Sequence, residues 1–279
     1  MLANKQLEDI RSLQQICEEK ENIELKLNWD SLRNRPDGQQ NDLFQYDDNG
    51  KLLGYLALYT FGGPMELCGM VHPEHRQKGI FSQLFKQARP SLEKASKLLI
   101  NAPANSASAK SFLISRPCTY SFSEYQMKRQ ASKIIAEVNP KVTLRNAIES
   151  DLKFLSYLDS VCFNIPEQEA IAFNKEVWLG GNEPTFIVEY GGKEAGKIRI
   201  QKEENATWIY GFAIEPSLQG NGIGRSALSQ VVMNEQNKGI ERVHLEVAAE
   251  NEHALSLYKS CGFEPYCTQD YYEYDLNKL

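Results

Sequence analysis

Hydrophobic and polar positions alternate with a period of two through residues 206–214. Trp208, Tyr210, Phe212 and Ile214 lie on one side and Ile209, Gly211 and Ala213 on the other, a mostly apolar strand that Pro216 cannot continue. Leu245 and Val247 alternate about Glu246 in the same way, while Ala254, Leu257 and Cys261 mark a helical stripe. Read along the whole chain, such patterns predict helices at 5–20 and 29–33 and strands at 43–46, 51–59 and 65–71. A helix at 79–96, a strand at 98–102, a helix at 106–115 and closing strands through 120–128 follow. After a connection at 132–140 come a strand at 141–145, helices at 148–162 and 167–179, and strands at 185–190, 193–201 and 206–214. Gly191-Gly192 signals a hairpin turn among them. A helix at 222–238, a strand at 242–248, a helix at 252–261 and a tyrosine-rich terminal hairpin complete the prediction.

Between the strand at 206–214 and its helix stand Gly220, Gly222 and Gly224. Only glycine lets successive backbone amides turn inward around an anion, and the helix start adds free N–H groups and a positive dipole end. The stretch therefore reads as a pyrophosphate seat. A Walker A loop fails on spacing, because Gln219 stands five residues before Gly224 and Arg225 replaces the lysine. Gly222-x-Gly224-x-x-Ala227 formally matches a dinucleotide fingerprint, with Glu246 downstream. However, that fingerprint follows its strand almost directly within a βαβ repeat, and here residues 215–219 intervene after antiparallel-looking strands.

The loop has a partner earlier in the chain. Val71, Pro73, Arg76, Gly79, Ile80 and Phe81 align with Ile214, Pro216, Gln219, Gly222, Ile223 and Gly224 at one offset, and Asn105 and Phe112 align with Asn251 and Tyr258 at a slightly longer one. The chain reads as two copies of one α/β (α+β) fold, residues 1–131 and 132–279.

Composition narrows the function. The 279 residues carry a net charge of −6, 42% hydrophobic and 24% charged residues, and no apolar run of membrane-spanning length. No charged-then-apolar leader follows Met1, so cytoplasmic residence is expected, with no membrane partner. Acidity and dispersed basic residues argue against nucleic acid and favour a cationic acceptor such as an amine. The six cysteines lack metal or disulfide spacing, and His72 and His75 are read as surface histidines, so no metal is expected. No Gly-x-Ser-x-Gly elbow occurs.

The series Ile214-x-Pro216-x-x-Gln219-x-x-Gly222-x-Gly224, with Leu245-Glu246-Val247, Asn251, Leu257-Tyr258 and Gly262-Phe263 after it, resembles the GNAT superfamily of N-acetyltransferases over about 55 residues. The resemblance implies two tandem domains, each a mixed, mostly antiparallel sheet flanked by helices with a V-shaped cofactor cleft. Mycothiol synthase is a family example of tandem copies. It further implies acetyl-CoA as cofactor, bound by Phe212, Ala213, Ile214, Gln219, Gly220, Asn221, Gly222, Ile223, Gly224, Arg225 and Asn251. The implied activity is transfer of acetyl to a primary amine, on a small molecule or a peptide N-terminus, by direct attack in the second copy. Gly211 suits the bulge at which the cofactor strands part.

Glu246 is then the base and Tyr258 the acid, in the order in which the family's ribosomal-protein alanine acetyltransferases carry Glu, Asn and Tyr. Each role has a plainer competitor: a solvated carboxylate for Glu246, core packing for Tyr258 and a helix cap for Asn251. The first copy is expected not to catalyse, because Phe112 stands at the tyrosine position, Ile100 at the glutamate position, and Phe81 would crowd the pyrophosphate. A non-catalytic CoA-binding sensor or interaction module is the alternative. A monomer and a homodimer are equally compatible with the sequence.

Overall fold

A computed structural model describes residues 2–35, 38, 40–60, 64–129, 138–180, 184–203 and 206–279, so the expected connection lies outside the described residues as far as residue 137. The chain divides into two compact units, Met1–Ser123 with Cys267–Leu279, and Glu124–Tyr266.

The first unit runs α1 (Asn4–Glu21), α2 (Trp29–Arg33), β1 (Asp42–Tyr46), β2 (Leu52–Thr60), β3 (Met65–Val71), α3 (Ile80–Leu92), β4 (Leu98–Pro103), α4 (Ala107–Ile114) and the start of β5 (Cys118–Arg129). The second unit takes the end of β5, then β6 (Val142–Asn146), α5 (Leu152–Phe163), α6 (Glu167–Gly180), β7 (Thr185–Tyr190) and β8 (Lys193–Glu203). It continues with β9 (Ala206–Ile214), α7 (Ile223–Asn237), β10 (Arg242–Ala248), α8 (Glu252–Ser260) and the start of β11 (Phe263–Tyr274).

Each unit has a mixed sheet with one parallel pair among the described registers, β3 with β4 and β9 with β10, while β1–β2, β2–β3, β4–β11, β5–β10, β6–β7, β7–β8 and β8–β9 are antiparallel. In the first unit β2 and β4 are buried almost along their whole length, as strands covered on both faces are. In the first unit Ile10, Leu13 and Cys17 of α1 meet Tyr55, Ala57 and Tyr59 on one face, and Leu84, Ala88 and Leu92 of α3 meet Leu56, Leu58 and Leu67 on the other. In the second, Ile223, Ala227, Val231 and Tyr258 pack against Ile198, Ile200, Ile209 and Leu245, with α5 on the opposite face.

Two expectations change at the ends of these units. The tyrosine-rich terminus is one twelve-residue strand followed by a short 3-10 turn, where a hairpin was expected. Likewise, the closing strands of the first copy are a single strand, β5. The contacts also do not divide at 131/132, because Glu124–Lys128 pair with β10 and Gln269–Tyr274 pair with β4. Strand pairing between residues more than a hundred apart leaves no mark in local periodicity.

The strand registers refine the internal repeat. β8 and β9 slip between Lys197 and Arg199, where Gly211 sits at φ +53°, so β9 carries one extra residue. β2 and β3 pair without interruption from Thr60↔Met65 to Gly54↔Val71. The parallel pairs end at Ile209↔Leu245 and at Leu67↔Ile100. Asn101 therefore occupies the position of Glu246, and Ile100 that of Leu245; the expected equivalence of Ile100 was one residue out. The expectation had carried the offset of Asn105 to Asn251 back into the strand unchanged.

Candidate functional site

Beyond Ile209 and Leu245 the two parallel strands of the second unit part, leaving Tyr210–Ile214 with an edge that β10 does not cover. Into this V runs the glycine loop: a 3-10 turn at Pro216–Leu218, then Gly220 and Gly222 at φ +81° and +74°, and α7. A residue with a Cβ is strained at both angles, although nothing lies within 4 Å of the space it would fill. That pattern fits a cradle kept open for something else. Gln219 Nε2 donates to Ile214 O at 2.9 Å and Asn221 Nδ2 to Leu218 O at 3.1 Å, so both amides fold back and brace the loop. No side chain caps α7 at Gly222. The first-turn N–H groups of the helix are thus available to an anion. Gly224 has a different task, since a Cβ there would stand 3.3 Å from Leu257 Cδ2 and 3.5 Å from both Ile214 Cγ1 and Phe212 Cζ.

The V opens on a groove of about 800 Å³ lined by every expected cofactor residue except Asn221, and also by Tyr258. Asn221 stays out of the lining because its side chain is turned back onto the loop's own carbonyls. Cys162 and Phe163, at the end of α5, line the groove as well and were not foreseen. Their signal was present in the repeat, because Cys162 Sγ donates to Ile214 O as Cys17 Sγ donates to Val71 O, the equivalent carbonyl.

Tyr258 is 8% exposed, and burial pushes its hydroxyl up to about 12, so it carries its proton at neutral pH. Its ring lies 6.4 Å from that of Phe212. Asn251 Oδ1 accepts from Ala254 N at 3.0 Å, which makes it the cap of α8.

Glu246 is half-buried, the first residue of β10 past the point of parting, and Gln126 Nε2 of β5 donates to its Oε1 at 2.9 Å. Gln126 is itself buried, an orienting partner that only strand pairing reveals. On the same face His244 stacks on Trp208 at 4.9 Å, and burial with the charges of Arg242 and Lys128 lowers its imidazole to about 4. Under the bulge, Lys197 pairs with Asp159 of α5, whose other oxygen accepts from Asn174 Nδ2 at 2.6 Å. Both charges are buried, and desolvation lowers the lysine.

The first unit repeats this framework with changed contents. Gln77 and Gly79 hold φ +61° and +81° where Gly220 and Gly222 stand, so the loop keeps its shape. Phe81 does not crowd the helix start as expected. Its ring lies over Gly69, within 2.6 Å of where a Cβ would be, and meets Phe112 edge-on at 4.8 Å. Gly69 and Phe81 thus exchange the small and large residues of Phe212 and Gly224, and a ring fills a similar place from the opposite arm.

His72, Glu74 and His75 place potential ligand atoms within 4.8 Å of one another, a cluster that spacing in a charged turn did not suggest. His72 is buried, where a surface histidine was expected, and Lys51 Nζ lies 3.0 Å from its Nε2. The ammonium thus stands against one of the two nitrogens a cation would use.

The chain is similar to known proteins. Residues 152–263 match the family described as "Acetyltransferase (GNAT) family". A mycothiol acetyltransferase of Streptomyces bingchenggensis is 25% identical over 256 residues, 85% of this chain and 82% of that protein. The [ribosomal protein bS18]-alanine N-acetyltransferase of Escherichia coli is 31% identical over 88 residues, 31% of this chain and 60% of that protein. Among solved structures, a GCN5-related N-acetyltransferase from Sphaerobacter thermophilus superposes with a TM-score of 0.78 at 17% identity, over 99% of this chain and 94% of that one. A tandem GNAT protein from the clavulanic acid biosynthesis pathway gives 0.69 at 16%, over 98% and 95%. Residues 152–263 thus match the GNAT acetyltransferase family, and the chain as a whole has the fold of tandem GNAT proteins.

Proposed function

We propose that the Glu124–Tyr266 unit binds acetyl-CoA and transfers its acetyl group to a primary amine. The observation that carries this reading is the parting of β9 and β10 at the bulge, directly above an uncapped helix start that no Cβ obstructs. The cofactor supplies the acetyl thioester. Amides of Gly220 to Arg225 hold its pyrophosphate, and the uncovered edge at Phe212–Ile214 receives the pantetheine arm as an added strand would be received. Glu246, held by Gln126, takes the proton of the attacking amine, and Tyr258 returns one to the departing thiolate. The acceptor class comes from the relatives, whose names specify mycothiol and a ribosomal-protein alanine. In this reading the first unit does not catalyse, since Asn101 and Phe112 replace the base and the acid.

Incubation with acetyl-CoA and a panel of amines should release free thiol in an amine-dependent manner. Gly222→Val forces a β-branched residue to φ +74° beneath the seat and should abolish acetyl-CoA binding while the fold persists. Thiol release indifferent to every amine, or unchanged affinity in Gly222→Val, would overturn the proposal.

A further inference from the structure

The cleft of the first unit, about 550 Å³, is walled by Leu67, Met70, Ile80, Phe81 and Phe112 and contains two donors without partners. Asn101 is 8% exposed, and its Nδ2 has no hydrogen-bond partner while its Oδ1 faces the Cys68 thiol. Arg116 lies 5.0 Å over the Phe112 ring and donates to Ser82 Oγ at 2.6 Å, yet its Nε is buried without a partner and it makes no ion pair among the described residues. A buried donor left unmade costs free energy, and an uncompensated cation beside apolar walls favours an anion.

The other cation at this cleft is already neutralised. Glu21 pairs with Arg76 and accepts from Ser106 Oγ at 2.9 Å, Ser108 Oγ at 2.6 Å and Ser108 N at 3.3 Å. Its carboxylate thus joins the loop after β3 to the start of α4 and neutralises the Arg76 guanidinium beside the glycine loop. In the second unit Pro166 follows at the same distance from the paired cysteine and offers no carboxylate there. β3 also lacks the bulge.

We propose that this cleft binds a small monocarboxylate with an apolar body and a neutral carbonyl, such as an N-acyl amino acid, and does not bind a CoA-type diphosphate. Arg116 takes the carboxylate and Asn101 the carbonyl. This inference is independent of the transfer chemistry assigned to the other unit.

The test is calorimetric titration of the full chain with N-hexanoylglycine. One site is expected, weakened about tenfold by Asn101→Leu and about ten- to hundredfold by Arg116→Gln, the ranges for one neutral and one charge-assisted hydrogen bond. Both variants should keep the parent's unfolding midpoint. Acetyl-CoA should bind with a stoichiometry near one and leave N-hexanoylglycine in place. Absence of binding, equal affinity in both variants, or displacement by acetyl-CoA would overturn the inference.

Discussion

In the proposed transfer Glu246 and Tyr258 divide the proton traffic because their surroundings differ: one carboxylate at the sheet surface held by an amide, one phenol buried to the point of keeping its proton. Glu246→Gln and Tyr258→Phe should each lower kcat by about 10²–10⁴-fold with little change in acetyl-CoA affinity, read by steady-state kinetics and calorimetry. Full turnover in Tyr258→Phe would return that residue to core packing. His244 provides a pH signature. Its folded value near 4 lies below its ordinary 6.5, so between those values the unfolded chain binds a proton that the folded chain does not. Stability should therefore fall as pH drops from 6.5 toward 4, and His244→Phe should flatten the slope in urea unfolding at pH 7 and 5. An equal slope in the variant would show that another group is responsible. Glu246 and Tyr258 were candidates through the family resemblance, with alternation about Glu246 in support, whereas Gln126 was not legible, because it is 120 residues from the carboxylate it holds and reaches it only across paired strands.

At the level of elements, the bulge in β9 shapes the proposed cofactor cleft, and α5 is fastened beneath it by the Lys197–Asp159 pair. Removing one member leaves the other charge buried and uncompensated, so Asp159→Ala should destabilise the chain by about 3–5 kcal/mol in denaturant unfolding. A loss below about 1 kcal/mol would mean that water relieves the lysine. The glycine loop was readable from its three closely spaced glycines between a strand and a helix, and its boundaries agree with the expected strand and helix. Phe81 was misjudged because spacing reports a ring but not its direction, and Gly69, which makes room for that ring, stands twelve residues earlier in the chain.

At the level of the whole molecule, unit membership and chain order part company near both ends. A protein starting at residue 132 would lack Glu124–Arg129, baring the β10 edge and releasing Glu246 from Gln126. One starting at Glu124 keeps both. The longer fragment should therefore be the more soluble and the more active of the two, and equal behaviour would show that this strand is dispensable. The sequence alone showed two copies, each with a strand, a glycine-containing loop and a helix, and pointed to Glu246 and Tyr258 in the second. These are local or periodic properties, set by backbone angles and by alternation along a few turns of chain. The tertiary structure decided which strand closes which sheet, that Asn101 is the first residue of β4 past its pairing with β3, and that Glu21 ties Arg76 to the start of α4. Those outcomes depend on pairings and burial between residues far apart in the chain, and only folding brings them together.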